Sequence, residues 1–161
     1  MNHKKRLISH LITELEANYQ IALTAAKRAH STATDKENIA ENKYDTLGLE
    51  AAYLAQGQAK RAVECCAELE AVNKLPAVDY SSSDEIAIGT LVNLTDEDEQ
   101  QLSLFLAPVA GGLKFVFEQR NIIVITPSSP LGKNLLGKLV GDEFEFVAGQ
   151  HKRNYRISSI Y

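Results

Sequence analysis

The period of the hydrophobic pattern changes once along this chain of 161 residues, close to Pro76. Before Pro76, apolar residues recur every three to four positions, which is the spacing of one face of an α-helix. After Pro76 they alternate with polar residues in short runs, which is typical of β-strands with one buried face. A single change of period predicts an α+β chain with a helical first part and a sheet-forming second part.

The helical pattern falls into two segments, from His3 to about Ala33 and from about Tyr44 to Asn73. The first stripe contains Leu7, Ile8, Leu11, Ile12 and Leu15, followed by Ile21, Ala22, Ala25, Ala26 and Ala29. The second contains Leu47, Ala51, Leu54, Gln58, Ala62, Cys65 or Cys66, Leu69 and Val72. Narrow stripes suit a seam between two helices better than a globular core. We therefore predict that residues 1–75 form an antiparallel two-helix coiled-coil hairpin.

Acidic and turn-forming residues lie between the two helical segments, which places them at the far end of the predicted hairpin. This acidic tip covers residues 35–45 and includes Asp35, Glu37 and Glu41. Taken alone, the three acids are most simply a solvated polar loop. A helix of about thirty residues is, however, about 45 Å long. A projection of this length has too little core to serve stability alone, which indicates that it carries its tip to a distant site.

Residues 76–84 are predicted to be a linker, and residues 85–161 a compact domain with a mainly antiparallel sheet. The alternating runs predict strands over residues 86–94, 102–106, 121–126, 143–147 and 155–160. One short helix interrupts them, because Ser129 is a good N-cap residue and Pro130 fits the first helical position. Residues 131–138 would complete this helix.

Composition excludes several functional classes. The net charge of −4 disfavours a grip on duplex DNA, so we expect no sequence-specific DNA binding. No apolar run approaches the roughly 20 residues of a membrane span, and the first fifteen residues lack the apolar core of a signal peptide. We therefore expect a cytoplasmic protein with no membrane partner. Adjacent Cys65 and Cys66 and four scattered histidines offer no zinc-ligand spacing, so we expect no tightly bound metal.

The segment 129–142 resembles the signature of the C-terminal domain of the Gre transcript-cleavage factors. In that family a Ser-Pro-led helix carries an aliphatic pair, then Gly-Lys, and then Gly-Asp before a strand. The matching positions here are Ser129, Pro130, Leu131, Gly137, Lys138, Gly141 and Asp142. The strand before this helix and the order of elements in residues 1–75 are also similar, so the resemblance covers nearly the whole chain.

The resemblance implies a second domain similar in fold to FK506-binding proteins, which docks through this motif region on the rim of the secondary channel of bacterial RNA polymerase. It implies a coiled coil that enters the channel, where Glu41 with Asp35 or Glu37 helps to hold a Mg²⁺ ion shared with the polymerase. The polymerase then cleaves its own backtracked RNA. On this interpretation the chain is an accessory factor, not an enzyme, and has no cofactor of its own.

The resemblance also suggests a role for the basic residues Lys27, Arg28, Lys60 and Arg61 on the helices. They could guide the RNA 3′ end along the hairpin, because backbone contacts need only positive charge. Solubility of an exposed surface is the simpler alternative for all four.

The tip departs from the family pattern, which keeps other functions open. Glu41 and Asn42 match, but Asn38 replaces the first acid, Ala40 replaces a serine, and Tyr44 comes one residue early. A second hypothesis is therefore a regulator or inhibitor that occupies the same channel without stimulating cleavage. A third is a peptidyl-prolyl isomerase or chaperone built on the second domain, which the absence of Trp and the predicted burial of most Phe residues disfavour.

Overall fold

The structure, a computed structural model, describes residues 3–35 and 46–161. Two long helices come first, α1 (His3–Thr34) and α2 (Leu47–Asn73). The strands that follow are β1 (Leu91–Asp96), β2 (Gln101–Leu106), β3 (Lys114–Phe117), β4 (Arg120–Ile125), β5 (Glu143–Ala148) and β6 (His151–Ile160), with α3 (Pro130–Leu135) between β4 and β5. They form one sheet of order β3-β4-β2-β1-β6-β5, whose pairs are antiparallel except for β2 with β4. The predicted α+β class, a helical hairpin followed by an antiparallel-rich sheet with one short helix, is confirmed.

The chain divides into two compact units. The hairpin unit is Ile12–Glu70, and the sheet unit combines the residues up to Leu11 with Ala71–Tyr161. The start of α1 and the end of α2 therefore belong to the sheet unit. Within the described part of the chain, no helix combines the length and the hydrophobicity needed to span a bilayer.

Both faces of the sheet are covered within the sheet unit. One face carries Val92, Leu94, Leu104 and Ile157, which form a buried core with Leu135 of α3. The other face carries Phe105, Phe115 and Phe117, all of which are buried. The start of α1 covers them, since the rings of His3 and Phe117 lie 5.4 Å apart and those of His10 and Phe115 lie 5.5 Å apart. Alternation along each strand explains this division, because successive side chains point to opposite faces.

Two strand predictions need correction. The strand predicted to begin at Ile86 begins at Leu91, because Thr90 N donates to Ala87 O (3.1 Å) and Gly89 has a φ of +95°. The four residues of β3 are absent from the predicted strands. Its hairpin with β4 turns at Glu118 and Gln119, both with positive φ. Sequence patterns associate such turns with Asn-Gly or Asp-Gly, so the hairpin gave no recognisable signal.

Small side chains repeat with a heptad spacing along the inner edge of the hairpin unit. On α1 the buried or half-buried positions alternate in steps of four and three, through Leu15, Asn18, Ala22, Ala25 and Ala29. On α2 they run through Ala51, Ala55, Gln58, Ala62, Cys65 and Leu69. Ala22, Ala62 and Cys65 form the buried centre, with Tyr19 and Ala26 packed against them. This 3.5-residue period is that of a left-handed coiled coil, and its alanines let the two backbones approach closely.

Three residues assigned to the stripe from sequence lie outside it. Ile21, Leu47 and Leu54 are exposed. The strict heptad places Ala55 rather than Leu54 in the seam, and Ala22 rather than Ile21. Hydrophobicity alone favours the larger residue at each place, whereas close packing of two helices favours the smaller one.

The sheet unit contains one deeply buried charge, Lys4, which is only 1% exposed. Its Nζ donates to the carbonyl oxygens of Gly89 and Tyr161. It also lies 5.1 Å from the centre of the Tyr80 ring and 5.7 Å from that of Phe105, within the range of cation–π attraction. Burial lowers the pKa of Lys4 from 10.5 to about 8, against a smaller opposite effect of the Asp79 carboxylate.

The lowered pKa of Lys4 predicts that the protein becomes more stable as the pH rises from 8 towards 10.5. In that interval the unfolded chain binds more protons at this residue than the folded chain, so raising the pH favours the folded state. Chemical denaturation at several pH values should show that wild type gains about 3 kcal/mol relative to Lys4→Met across the interval. A constant difference between the two proteins would show that Lys4 has an ordinary pKa.

Candidate functional site

The end of the hairpin carries one of the predicted tip acids among the described residues. Helix α1 ends where Thr34 Oγ1 donates to His30 O (2.9 Å) and Asp35 N approaches Thr32 O (3.4 Å). Asp35 follows directly and is exposed. Glu37 and Glu41 lie outside the described residues, so their assignment as metal-assisting carboxylates stays a prediction.

The second helix starts with a local hydrogen-bond arrangement. Glu50 N donates to Thr46 O (2.9 Å), and Thr46 Oγ1 donates to the Glu50 carboxylate (3.0 Å). The first of these is an ordinary helical hydrogen bond between residues four apart. The negative charge of Glu50 suits the positive end of the helix dipole. The two helix ends that flank residues 36–45 are therefore both defined.

The four basic residues predicted to lie near RNA are all exposed on the hairpin unit. Lys27 lines a groove between the two helices, and Arg61 pairs with Glu64 at 3.6 Å. Consecutive helical residues are about 100° apart, so Lys27 and Arg28 point to different sides of the hairpin, as do Lys60 and Arg61. The structure thus distributes these charges over two sides.

The motif 129–142 forms the short helix and the turn that follows it. Ser129 is the N-cap: its Oγ accepts from Gly132 N (3.1 Å) and donates to Thr126 O (2.7 Å). Pro130 occupies the start of the helix, as predicted. Leu135 is fully buried, and Leu131 packs against the same core. The first half of the motif therefore fixes where α3 begins and which face it buries.

The second half of the motif joins α3 to the sheet. Gly137 has a φ of +77° and its N donates to Ile86 O (2.9 Å), while Lys138 O accepts from Ile86 N (2.9 Å). Gly141 has a φ of +95°, and Asp142 closes the turn because its carboxylate accepts from Leu139 N (2.9 Å). Positive φ favours glycine at both positions. These residues have structural roles in the turn, and the prediction that the motif region docks on the polymerase stays a prediction.

The part of the motif region available to a partner consists of other side chains. Lys133 is exposed on α3, Leu136 at its C-cap is 49% exposed, and Leu139 in the turn that follows is also exposed. Sequence reasoning passed over Leu136 and Leu139 because they belong to the aliphatic pattern of a helix. We call Lys133, Leu136 and Leu139 the α3 surface.

Potential metal ligands and the phenylalanines of the sheet unit bear on two further predictions. No group of three or more His, Cys, Asp or Glu residues is placed to hold a metal ion in the described ranges. Phe105, Phe115 and Phe117 are buried, and Phe144 and Phe146 are half-buried. The prediction that most Phe residues serve the core is therefore consistent with the structure.

These features define a class of protein with a slender two-helix hairpin and a small β-rich domain. The family described as "Transcription elongation factor, GreA/GreB, C-term" matches residues 81–161, which is half of the chain. The chain therefore belongs to the GreA/GreB transcription elongation factor family.

Three similar proteins illustrate the range of the family. Transcription elongation factor GreA of Rhodospirillum rubrum is 25% identical over 153 residues, which cover 95% of this chain and 92% of that protein. The "Transcription inhibitor protein Gfh1" of Thermus thermophilus is 26% identical over 123 residues, covering 73% and 72%. The crystal structure of Thermus aquaticus Gfh1 is 24% identical over 95% of this chain and 92% of that one, with a TM-score of 0.40.

The close approach of α3 to the end of β4 gives a sharp test of the motif. A Cβ at Gly132 would lie 2.0 Å from Thr126 O, whereas a Cβ at Gly57, in α2, would meet nothing within 4 Å. We expect Gly132→Ala to destabilise the protein by about 3 kcal/mol or more, because backbone has to move. Gly57→Ala should instead stabilise it by up to about 1 kcal/mol.

Urea denaturation of both variants measures these changes. Equal effects of the two alanines would contradict the proposed packing of α3.

Proposed function

We propose that this protein binds bacterial RNA polymerase at the secondary channel and stimulates the cleavage of backtracked RNA by the polymerase itself. Family membership supports an action on transcription elongation. The single observation that carries the finer proposal is an exposed carboxylate, Asp35, at the end of a hairpin with a seam of small residues. Residues 12–34 of α1 alone extend for about 34 Å, at about 1.5 Å per residue.

The chemistry of the tip follows from what phosphodiester cleavage needs. In a two-metal mechanism, hard oxygen ligands hold a Mg²⁺ ion that activates or orients the attacking water. A carboxylate at the end of a narrow two-helix projection can reach such a centre inside a channel, whereas one on a compact surface cannot. Glu41, with Asp35 or Glu37, would supply these oxygens. The Mg²⁺ and the catalysis belong to the polymerase, so the protein is an accessory factor rather than an enzyme.

The α3 surface is the proposed contact with the rim of the channel. Exposed leucines at Leu136 and Leu139 offer apolar area that a protein partner can bury, and Lys133 adds a positive charge beside them. Two hydrogen bonds hold the turn that carries Leu139, because the Asp142 carboxylate accepts from Leu139 N and Gly137 N donates to Ile86 O. Binding therefore needs little ordering of the loop, which lowers its entropic cost.

Basic residues on the hairpin would then face nucleic acid inside the channel. Within each helix the two basic residues point in directions about 100° apart, so positive charge lies on more than one side of the hairpin. Each pair can meet phosphate oxygens without reading sequence. This role agrees with a cytoplasmic protein whose only nucleic-acid contact is the RNA 3′ end, through the polymerase.

A second candidate function is inhibition without cleavage. Asn38 and Ala40 remove one acid and one hydroxyl from the family's tip pattern, and one relative is named a transcription inhibitor. A tip with fewer oxygen ligands would bind this Mg²⁺ ion more weakly, while the hairpin would still occupy the channel.

A cleavage assay on stalled polymerase separates the two candidates. Labelled RNA in a backtracked complex should shorten when wild-type protein is added, and Glu41→Gln should lower the cleavage rate by about 100-fold, through loss of a charged metal ligand. Polymerase binding by Glu41→Gln should equal that of wild type.

Glu16→Gln is the matched control, since Glu16 is exposed on α1 at the other end of the hairpin unit. It should cleave as well as wild type. Full cleavage by Glu41→Gln would remove Glu41 from the mechanism, and binding of wild type without any shortened RNA would establish the inhibitor instead.

A further inference from the structure

An apolar groove runs along one side of the hairpin unit. Two adjoining cavities of about 530 and 390 Å³ share Ala26 and Ala59 as lining residues, so they form one continuous groove. Its walls include Tyr19 and Leu23 of α1 and Val63 of α2. From Tyr19 to His30 it covers twelve residues of α1, and their eleven steps of about 1.5 Å span about 16 Å.

The groove exposes apolar side chains that do not take part in the packing between α1 and α2. Val63 is 69% exposed and stands near the middle of the groove on α2. Alanines form the floor, so a neighbouring helix could approach closely and place larger side chains between Tyr19 and Val63. Contiguous exposed apolar surface of this kind marks an interaction site.

The charges at the two ends of the groove have opposite signs. Lys27 lines the end near His30, and Glu70 lines the end near Tyr19. A helix that binds here needs an acidic group beside Lys27 and a basic group beside Glu70. A second copy of the groove, turned end to end, has this pattern.

We propose that the groove binds the same groove of a second copy of this chain, in an antiparallel dimer with a two-fold axis near Val63. The two Val63 side chains meet at the axis, and Lys27 of each copy faces Glu70 of the other. Such an interface is self-complementary, as two-fold symmetry requires. Four helices then enclose an apolar centre, which is the arrangement of a four-helix bundle.

The short groove predicts weak association. Two grooves of this length bury less than the roughly 1,600 Å² of a standard stable interface. We therefore expect a dissociation constant in the range of about 10–100 μM, which places monomer and dimer in exchange at ordinary concentrations.

The dimer also has a consequence that rests on the proposed function. A hairpin that is covered by a second copy is too wide to enter a polymerase channel as a two-helix projection. Self-association would then hold the protein in an inactive store at high concentration.

Sedimentation analysis of the full chain from about 1 to 500 μM tests the proposal. Val63→Glu should weaken association by at least about tenfold, because it brings two carboxylates together at the axis. Ile21→Glu is the matched control: Ile21 is also 69% exposed, and by helical spacing it points away from the groove. It should leave association unchanged, and circular dichroism should show equal helix content in both variants.

Charge reversal tests the orientation of the two copies. Glu70→Lys and Lys27→Glu should each weaken the dimer by about tenfold, and the double variant should restore it. A chain that stays monomeric at 500 μM overturns the proposal. So does a dimer that is insensitive to Val63→Glu, or a monomer whose groove binds only helices of other proteins.

Discussion

A seam of small side chains between two helices is the constraint on which the rest of this structure depends. Alanines at the heptad positions keep the hairpin narrow, but they bury little apolar area, and buried area is the main source of stability. The hairpin unit therefore cannot rely on its own core as a globular domain does. The same helices continue into the sheet unit, where Leu7 and Leu11 of α1 and Val72 of α2 are fully buried. Both helices therefore contribute buried side chains to the sheet unit as well as to the seam of the hairpin unit.

Polar as well as apolar contacts hold the start of α1 in the sheet unit. Lys4 places a positive charge among the carbonyl oxygens of Gly89 and Tyr161 and the rings of Tyr80 and Phe105. Burial of a charge is costly unless its hydrogen bonds are satisfied. A shift of the start of α1 by one residue would leave this ammonium without its acceptors, so Lys4 fixes the register of residues 3–11 within the sheet unit.

Sequence patterns predicted the two-helix hairpin, the sheet and the capped helix α3, because each depends on local signals. Such signals are the period of the hydrophobic pattern, the capping pair Ser129 and Pro130, and the glycines of the motif. They did not predict β3, whose turn uses Glu118 and Gln119 in a conformation that glycine and asparagine usually adopt. Nor did they predict the buried Lys4, since its partners are 85 and 157 residues away in the chain. Asp96 is similar: it sits in an acidic run typical of a solvated turn, yet it is buried and paired with Arg153 at 2.7 Å.

The candidate site also contains residues with local sequence signals, in the motif, and residues without them, at the tip. The motif residues Ser129, Gly137, Gly141 and Asp142 cap α3 and shape the turn that follows it. The α3 surface beside them is the polymerase contact that we propose. The tip acids contribute charge instead of fold, and sequence resemblance remains their main support.

The affinity of this protein for bacterial RNA polymerase tests the central claim most directly. Wild type should bind purified polymerase, Leu136→Asp should bind at least about tenfold more weakly, since a charge replaces a buried apolar contact, and Val116→Asp should bind as wild type does. Leu136 and Val116 are similarly exposed, at 49% and 58%; Leu136 is the C-cap of α3, whereas Val116 lies in β3. Absence of polymerase binding by the wild-type protein would contradict the account.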